Sequence, residues 1–326
     1  MNFPNSQAKW NVADSPHWRD GSSLARIQFL WLLALAPAVI ASVYIFGIPA
    51  LSVIGLALGS CIILDALTNR ILISRDYTSN WSSVTLGLLL AAILPLSTPW
   101  WLVIVAAFLT IVIGKKLFGG WGGYPVHPVA LSLAMLKVSW PTRFDYTASL
   151  LGSSWESSIV EPMRMVKSLG AGAESVFSKL DLLLGYQAAG VFSGLVLWLL
   201  IGGLFLLVLR QIPWQIPLGF IAGMLVCAWL LELLAPGRSA SPLFQVLAGS
   251  SVFAAFFMMT EHTTSPVNPL PMLIYGLMGG VLLVLIRAFS SHIDGMIFTV
   301  LLMNLCSPLL DRVKPKIVGL EVNCDA

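Results

Sequence analysis

Two short stretches hold most of the side chains in this chain that could do chemistry. The first runs Lys115-Lys116-Leu117-Phe118-Gly119-Gly120-Trp121-Gly122-Gly123-Tyr124-Pro125-Val126-His127-Pro128 and sits between two strongly apolar segments. Non-helical backbone at membrane depth is tolerated only where protein or a water-filled cavity satisfies its N–H and C=O groups, so such a break points to a ligand or ion site. The second, Thr260-Glu261-His262-Thr263-Thr264-Ser265, sets a carboxylate and an imidazole among hydroxyls at the end of an apolar segment. That set suits proton transfer. A plainer reading stands beside each. Lys115 and Lys116 also suit a cationic anchor that fixes topology, and Glu261 and His262 also suit a solvated loop whose hydroxyls cap helix ends. Asp65 and Glu232 are acidic groups in or beside apolar segments, functional candidates by default, yet both fall close enough to a segment end for solvation to account for them.

Other chemistries find no pattern. The sequence has no phosphate-binding glycine loop with lysine and serine, no zinc-ligand spacing and no nucleophile elbow. Cys61, Cys227, Cys306 and Cys324 lie far apart and read as small apolar packing residues rather than ligands or disulfide partners. No metal site is expected.

The elements that must position these residues are apolar helices. Hydrophobic residues make up 57% of the 326 positions and charged ones 10%, against about 25% charged in soluble domains. The chain therefore reads as an all-α integral membrane protein; a net charge of +3 is too small to point to nucleic acid, and no nucleic-acid partner is expected. A crossing needs about 20 apolar residues. Ten segments approach that: 27–46, 48–67, 77–94, 100–114, 122–138, 186–209, 212–231, 243–260, 270–286 and 293–310. One unbroken helix over 77–114 would be roughly 57 Å long, so the prolines at 95 and 99 divide it into two. The fifth segment is short and reads as broken or re-entrant.

These segments suggest a cytoplasmic piece at 1–26, a five-helix half at 27–138, an external, periplasmic loop at 139–185, a second five-helix half at 186–310 and a cytoplasmic tail at 311–326. With a cytoplasmic N-terminus, eleven of the eighteen Lys and Arg residues fall in cytoplasmic segments and two, Arg238 and Arg287, in short outer loops. Long loops cross largely regardless of charge, so that asymmetry sets the orientation. Residues 1–25 are polar and precede a span rather than a cleavage site, so they do not read as a signal peptide. Pro125-Val126-His127-Pro128 has an echo in Pro266-Val267-Asn268-Pro269, a partial sign of internal repetition.

A family resemblance rests on two blocks and on the closing segment. Gly114-Lys115-Lys116-Leu117-Phe118-Gly119-Gly120 followed by His127-Pro128, Ala130 and Ala134 resembles the Gly-Lys-x-x-Phe-Gly-Gly…Asn-Pro-Ala region of the D component of Rnf ion-translocating electron transport complexes and of the B component of the sodium-pumping NADH:quinone oxidoreductase. Phe257-Met258-Met259-Thr260-Glu261-His262-Thr263-Thr264-Ser265-Pro266-Val267 is similar to the Phe-Met-Ala-Thr-Asp-Pro-Val-Thr-Ser-Pro-Val block of the same two components, and Leu302-Met303-Asn304 to Arg312 fits as well. The resemblance implies a multi-pass bacterial inner-membrane subunit of a flavin-containing redox complex, which couples electron transfer between ferredoxin and NAD to Na⁺ or H⁺ translocation. Other membrane and soluble subunits would be its partners, and the chain would be inactive alone. It also implies riboflavin, FMN or both as cofactors, with Lys115, Lys116, Phe118, Gly119, Gly120, Thr260, Thr264 and Ser265 as the residues nearest a flavin. Phe118 or Trp121 would stack on its ring.

Family members attach FMN to a threonine in a Ser-Gly-Ala-Thr-like motif of the external loop. Here the loop reads Ser168-Leu169-Gly170-Ala171-Gly172-Ala173-Glu174-Ser175. Glu174 occupies the threonine's place, and Ser175 carries the nearest hydroxyl for a covalent link. The contrasting reading, a small-solute or ion channel or secondary transporter with a repeated membrane fold, shares the broken helices but not the two matched blocks.

Overall fold

The computed structural model describes residues 23–72, 81–144, 146, 161–234 and 240–313. They form helices α1 (Leu24–Phe46), α2 (Ile48–Leu72), α3 (Trp81–Ile93), α4 (Trp100–Phe108), α5 (Pro128–Ser139), α6 (Pro162–Leu169), α7 (Lys179–Leu184), α8 (Val196–Val208), α9 (Gln215–Leu234), α10 (Pro242–Leu247), α11 (Ser251–Phe253), α12 (Pro269–Phe289) and α13 (Met296–Leu310). No strand occurs among the described residues. Four helices, α1, α2, α9 and α12, are long and apolar enough to cross a membrane unaided, whereas α3, α5, α8 and α13 are shorter apolar helices.

Two helices widen into π-helix before they end. Helix α4 continues as Leu109–Lys116 (π1), and α11 continues as Ala254–Met258 (π2). A π turn gives up regular i→i−4 bonding and commonly marks functional sites. Each π segment leads into an irregular stretch, and each stretch ends at a helix with proline in its first turn, Pro128 for α5 and Pro269 for α12. The echo between Pro125-Val126-His127-Pro128 and Pro266-Val267-Asn268-Pro269 is thus an echo of local architecture.

The irregular segments are satisfied from within the protein, as burial demands. Val191 N–H donates to Leu94 O (2.9 Å), and the N–H groups of Phe192 and Ser193 donate to Ala92 O (3.2 and 3.0 Å). The chain before α8 thereby satisfies the carbonyls at the C-terminus of α3. The approach is close because position 190 is glycine: a Cβ there would lie 2.3 Å from Ala92 O. At the α10–α11 junction, Gln187 Nε2 donates to Leu247 O (3.1 Å) and its Oε1 accepts from Gly249 N–H (2.9 Å). Arg287 donates to the carbonyls of Gln245 (2.7 Å) and Ala248 (3.1 Å) and pairs with Asp294 (3.1 Å). By sequence Arg287 is an outer-loop cation; it lies instead in α12 at 3% exposure, clamping this junction.

The long connection after α5 is docked. Met163 and Val166 of α6 pack with Leu182 of α7 and with Ala240, Phe244 and Ala248, and Lys167 donates to the carbonyls of Ser290 and His292. The sequence pieces 1–22 and 314–326, the greater part of residues 145–160, and Cys324 with its packing reading lie outside the described residues. Cys61 and Cys227 are buried free thiols, and Cys306 is a half-buried one.

Candidate functional site

The C-terminal turn of π1 points its cations inward. Lys115 is fully buried, and its ammonium donates to Ser82 Oγ (2.8 Å), Ser83 Oγ (3.0 Å) and Asp65 Oδ1 (3.1 Å). Lys116 Nζ lies 3.3 Å from the same Asp65 oxygen and donates to Asn69 Oδ1. Asp65 is 1% exposed, so solvation at a helix end does not account for it. Both lysines are occupied by this buried cluster. Neither is a surface anchor, and neither ammonium is left to face a ligand across the break. An isolated charge in an apolar interior costs many kcal/mol unless paired, which is why the two lysines and the aspartate go together.

A second network joins the two matched blocks. Tyr124 Oη donates to Glu261 Oε1, and His127 Nε2 lies 3.1 Å from Glu261 Oε2. His127 caps α5, its Nδ1 accepting from Val129 N–H (3.2 Å), so the ring proton sits on Nε2 and faces the carboxylate. The facing atoms are near but off the hydrogen-bond axis, since both still lack a partner. Asn304 of α13, with its amide oriented to suit, accepts from the His127 backbone N–H (2.8 Å) and donates to Tyr275 Oη (2.8 Å). At 9% exposure Glu261 belongs to the interior, not to a solvated loop, whereas its neighbour His262 is exposed.

The two networks border one crevice. Ser82, which holds Lys115, lines it together with Trp121, Tyr124, Glu261, His262, Gln28 and Trp31. Gln28 Oε1 and Trp31 Nε1 are buried without partners, so the walls offer an acceptor and a donor. The cavity measures about 20 Å³, room for about one water. It matches a water or a proton relay in polarity and size, and a tricyclic ring does not enter it.

The other expected flavin neighbours divide between inside and outside. Thr260 is buried and donates to Phe256 O (2.6 Å), and Thr264 is buried with an unpartnered hydroxyl. Ser265 is half-buried, and its N–H donates to Glu261 O (3.1 Å). Phe118 is 40% exposed, and beside it Gly119, Gly120 and Gly122 all have φ near +95°, the left-handed region that favours glycine. A Cβ at Gly119 or Gly122 would meet nothing within 4 Å. The result is an open, glycine-lined turn that carries Phe118 and Trp121.

In the loop, Glu174 Oε2 accepts from Ser241 N–H (2.8 Å), which ties the loop to the start of α10. Ser175 is exposed, its hydroxyl donating to Gly172 O (2.8 Å). No group of three or more metal-ligating side chains occurs among the described residues. Sequence reasoning missed Tyr124, Ser82, Ser83, Asn304 and Tyr275 as partners. The available signal was composition: polar residues inside otherwise apolar segments of a membrane protein must find one another.

A helical chain with four spanning-length apolar helices, additional short ones and buried charge networks at helix breaks defines a multi-pass membrane protein. The model of the NQR2, RnfD, RnfE family matches residues 11–319, and the chain belongs to that family. It is 34% identical to the D component of the ion-translocating oxidoreductase complex of Vibrio cholerae serotype O1, covering 94% of this chain and 99% of the relative. It is 32% identical to the D component of the Na⁺-translocating ferredoxin:NAD⁺ oxidoreductase complex of Acetobacterium woodii, covering 94% and 95%. A similar D component, from Salmonella typhi, is 30% identical and covers 95% of this chain and 98% of the relative.

Proposed function

We propose that this chain is the membrane-embedded D component of an ion-translocating ferredoxin:NAD oxidoreductase complex in the bacterial inner membrane, working with other membrane subunits and with soluble subunits that handle ferredoxin and NAD. The observation that carries the reading is similarity along almost the whole chain to relatives bearing those names. The site supports it. Glu261, His127 and Tyr124 form a buried acid–base set at the junction of the two breaks, and the small polar crevice beside it gives a proton or water a place to stand. In this reading His127 and Glu261 hold and pass a proton, while the Lys115–Lys116–Asp65 cluster fixes the crevice wall through Ser82.

The proposed architecture is ten crossings in two five-helix halves. Each of the ten apolar segments contains helix, and the repeated passage from π-helix through an irregular stretch to a proline-started helix supports two related halves.

Flavin belongs to the proposal as riboflavin or FMN, a group that supplies one-electron and two-electron transfer when bound. The turn of Phe118, Gly119, Gly120 and Trp121 suits a ring outside the crevice. Covalent FMN does not suit Glu174, which lacks a hydroxyl and whose carboxylate already serves Ser241. Ser175, one residue on, carries the hydroxyl nearest to that place.

The test is to purify the complex through a tag on this chain and to determine which of its polypeptides carry flavin. We expect ferredoxin:NAD oxidoreduction coupled to ion uptake by the assembled complex, no NADH oxidation by the lone chain, and no fluorescent band at the mass of this chain on a denaturing gel under ultraviolet light. A lone chain that passes solute through reconstituted vesicles, with no redox partner copurifying, would replace this reading with that of a channel.

A further inference from the structure

At the end of the fold away from the crevice, α5 brings a second polar site to the docked loop. His127 caps the start of α5 and Lys137 lies in its last turn, so the two are roughly 15 Å apart along the helix. Around Lys137 a cavity of about 160 Å³ opens, with Glu161, Arg164, His292 and Asp294 in its wall, space for several waters.

Glu161 is the unusual member. It is 4% exposed, and among the described residues no donor lies within hydrogen-bonding distance of its carboxylate. The Lys137 ammonium makes no ion pair with it and sits instead 5.9 Å from the ring centroids of both Phe144 and Tyr146. An acid and a base thus share one cavity without touching. The groups facing Glu161 come from every element around it: Lys137 on α5, Tyr146 in the connection after it, Arg164 on α6, Arg287 on α12, and His292 and Asp294 in the turn before α13. Asp294 is already committed, accepting from Arg287 (3.1 Å) and from Ser250 N–H (3.2 Å).

We propose that this chamber is a proton-exchange site at the loop face of the protein, with the Glu161 carboxyl as the group that takes up and releases the proton. The ligand chemistry follows from the lining. A metal cation would meet Lys137 and Arg164 in the same wall, with only one carboxylate not already paired. An anion would meet Glu161 and Asp294. A proton needs no coordination shell and neutralises the one buried carboxylate that lacks a partner among the described residues. On release it passes from the carboxyl oxygen to a cavity water, and the carboxylate left behind is stabilised by Lys137 across the cavity. Burial, reinforced by the nearby Asp294 charge, pushes the Glu161 carboxyl up to about 7, with Lys137, Arg164 and Arg287 opposing. The group therefore exchanges its proton at ordinary pH.

This inference rests on the proposed membrane topology for its sidedness but not for its chemistry. The experiment is infrared difference spectroscopy of the assembled complex in the carboxyl-stretch region while pH is scanned from about 5 to 9, spanning the Glu161 transition. A carboxyl band that disappears with a midpoint near 7 is expected in the wild type and is absent in Glu161→Gln. Lys137→Met removes a favourable positive charge and moves the midpoint upward. Absence of any titrating carboxyl band in the wild-type complex overturns the proposal whether or not the variants fold. So does a band unchanged in a folded Glu161→Gln complex. In sealed vesicles of uniform orientation, a band that follows the pH of the cytoplasmic compartment would reverse the topology while leaving the proton site in place.

Discussion

Asp65 answers two ammonium groups with one carboxylate in a nearly water-free setting, and that arithmetic makes it the most sensitive residue near the crevice. Removing one partner of a buried pair costs about 3–5 kcal/mol, because the remaining charge is left desolvated and uncompensated. Asp65→Asn is therefore expected to lower the melting temperature and the yield of assembled complex sharply, while Asp65→Asn with Lys116→Met, which removes one ammonium as well, recovers a large part of the loss. A single variant that melts as the wild type does would mean that Ser82, Ser83 and Asn69 suffice to hold the lysines. Sequence alone identified the two lysines and the acid but not their pairing. Asp65 and Lys115 are 50 positions apart, and only the packing of α2 against π1 makes them neighbours. The same holds for Glu261 and Tyr124, 137 positions apart. Glu261 stood out by motif, while Tyr124 looked like part of a glycine-rich turn.

At the scale of elements, hydropathy located the apolar segments but not the backbone within them. It marked 186–209 as one span, yet helix begins only at Val196, because the amides of residues 191–193 are used by carbonyls at the end of α3. No local pattern encodes a bond made to another element. Glycine does mark close packing. A Cβ at Gly280 would lie 2.0 Å from Phe220 O, and one at Gly223 would lie 2.2 Å from Leu277 O, so α9 and α12 meet backbone to backbone. Small residues at such crossings provide the attraction that lipid does not. Gly280→Ala must force the two helices apart, at a cost of at least about 1–3 kcal/mol for overpacking. Gly59→Ala, a helical glycine whose added Cβ meets nothing within 4 Å, serves as the control. We expect thermal unfolding of the complex to be lowered by the first and unchanged by the second; equal melting of both variants would show that α9 and α12 are free to separate.

Across the molecule, burial decides which cations can report orientation. Cations that are locked inside the protein are poor topology signals, since they do not meet the membrane surface. Removing the buried Lys115 and Lys116 from the eleven cytoplasmic cations leaves nine, and removing the buried Arg287 from the two outer ones leaves Arg238 alone. The bias survives the correction, nine to one. Lys115, Asp65, Ser82 and Glu261 gather at one end of the helices, and Glu161, Lys137 and Asp294 gather at the other with the docked loop. On the proposed arrangement of ten crossings with a cytoplasmic N-terminus, the crevice would face the cytoplasm and the Glu161 chamber would face outward. A reporter active only in the periplasm should then be active when inserted near residue 158 and silent when fused after residue 316. The reverse pattern would place the loop, and the proton chamber with it, in the cytoplasm, and the crevice would open on the side away from the soluble electron donors.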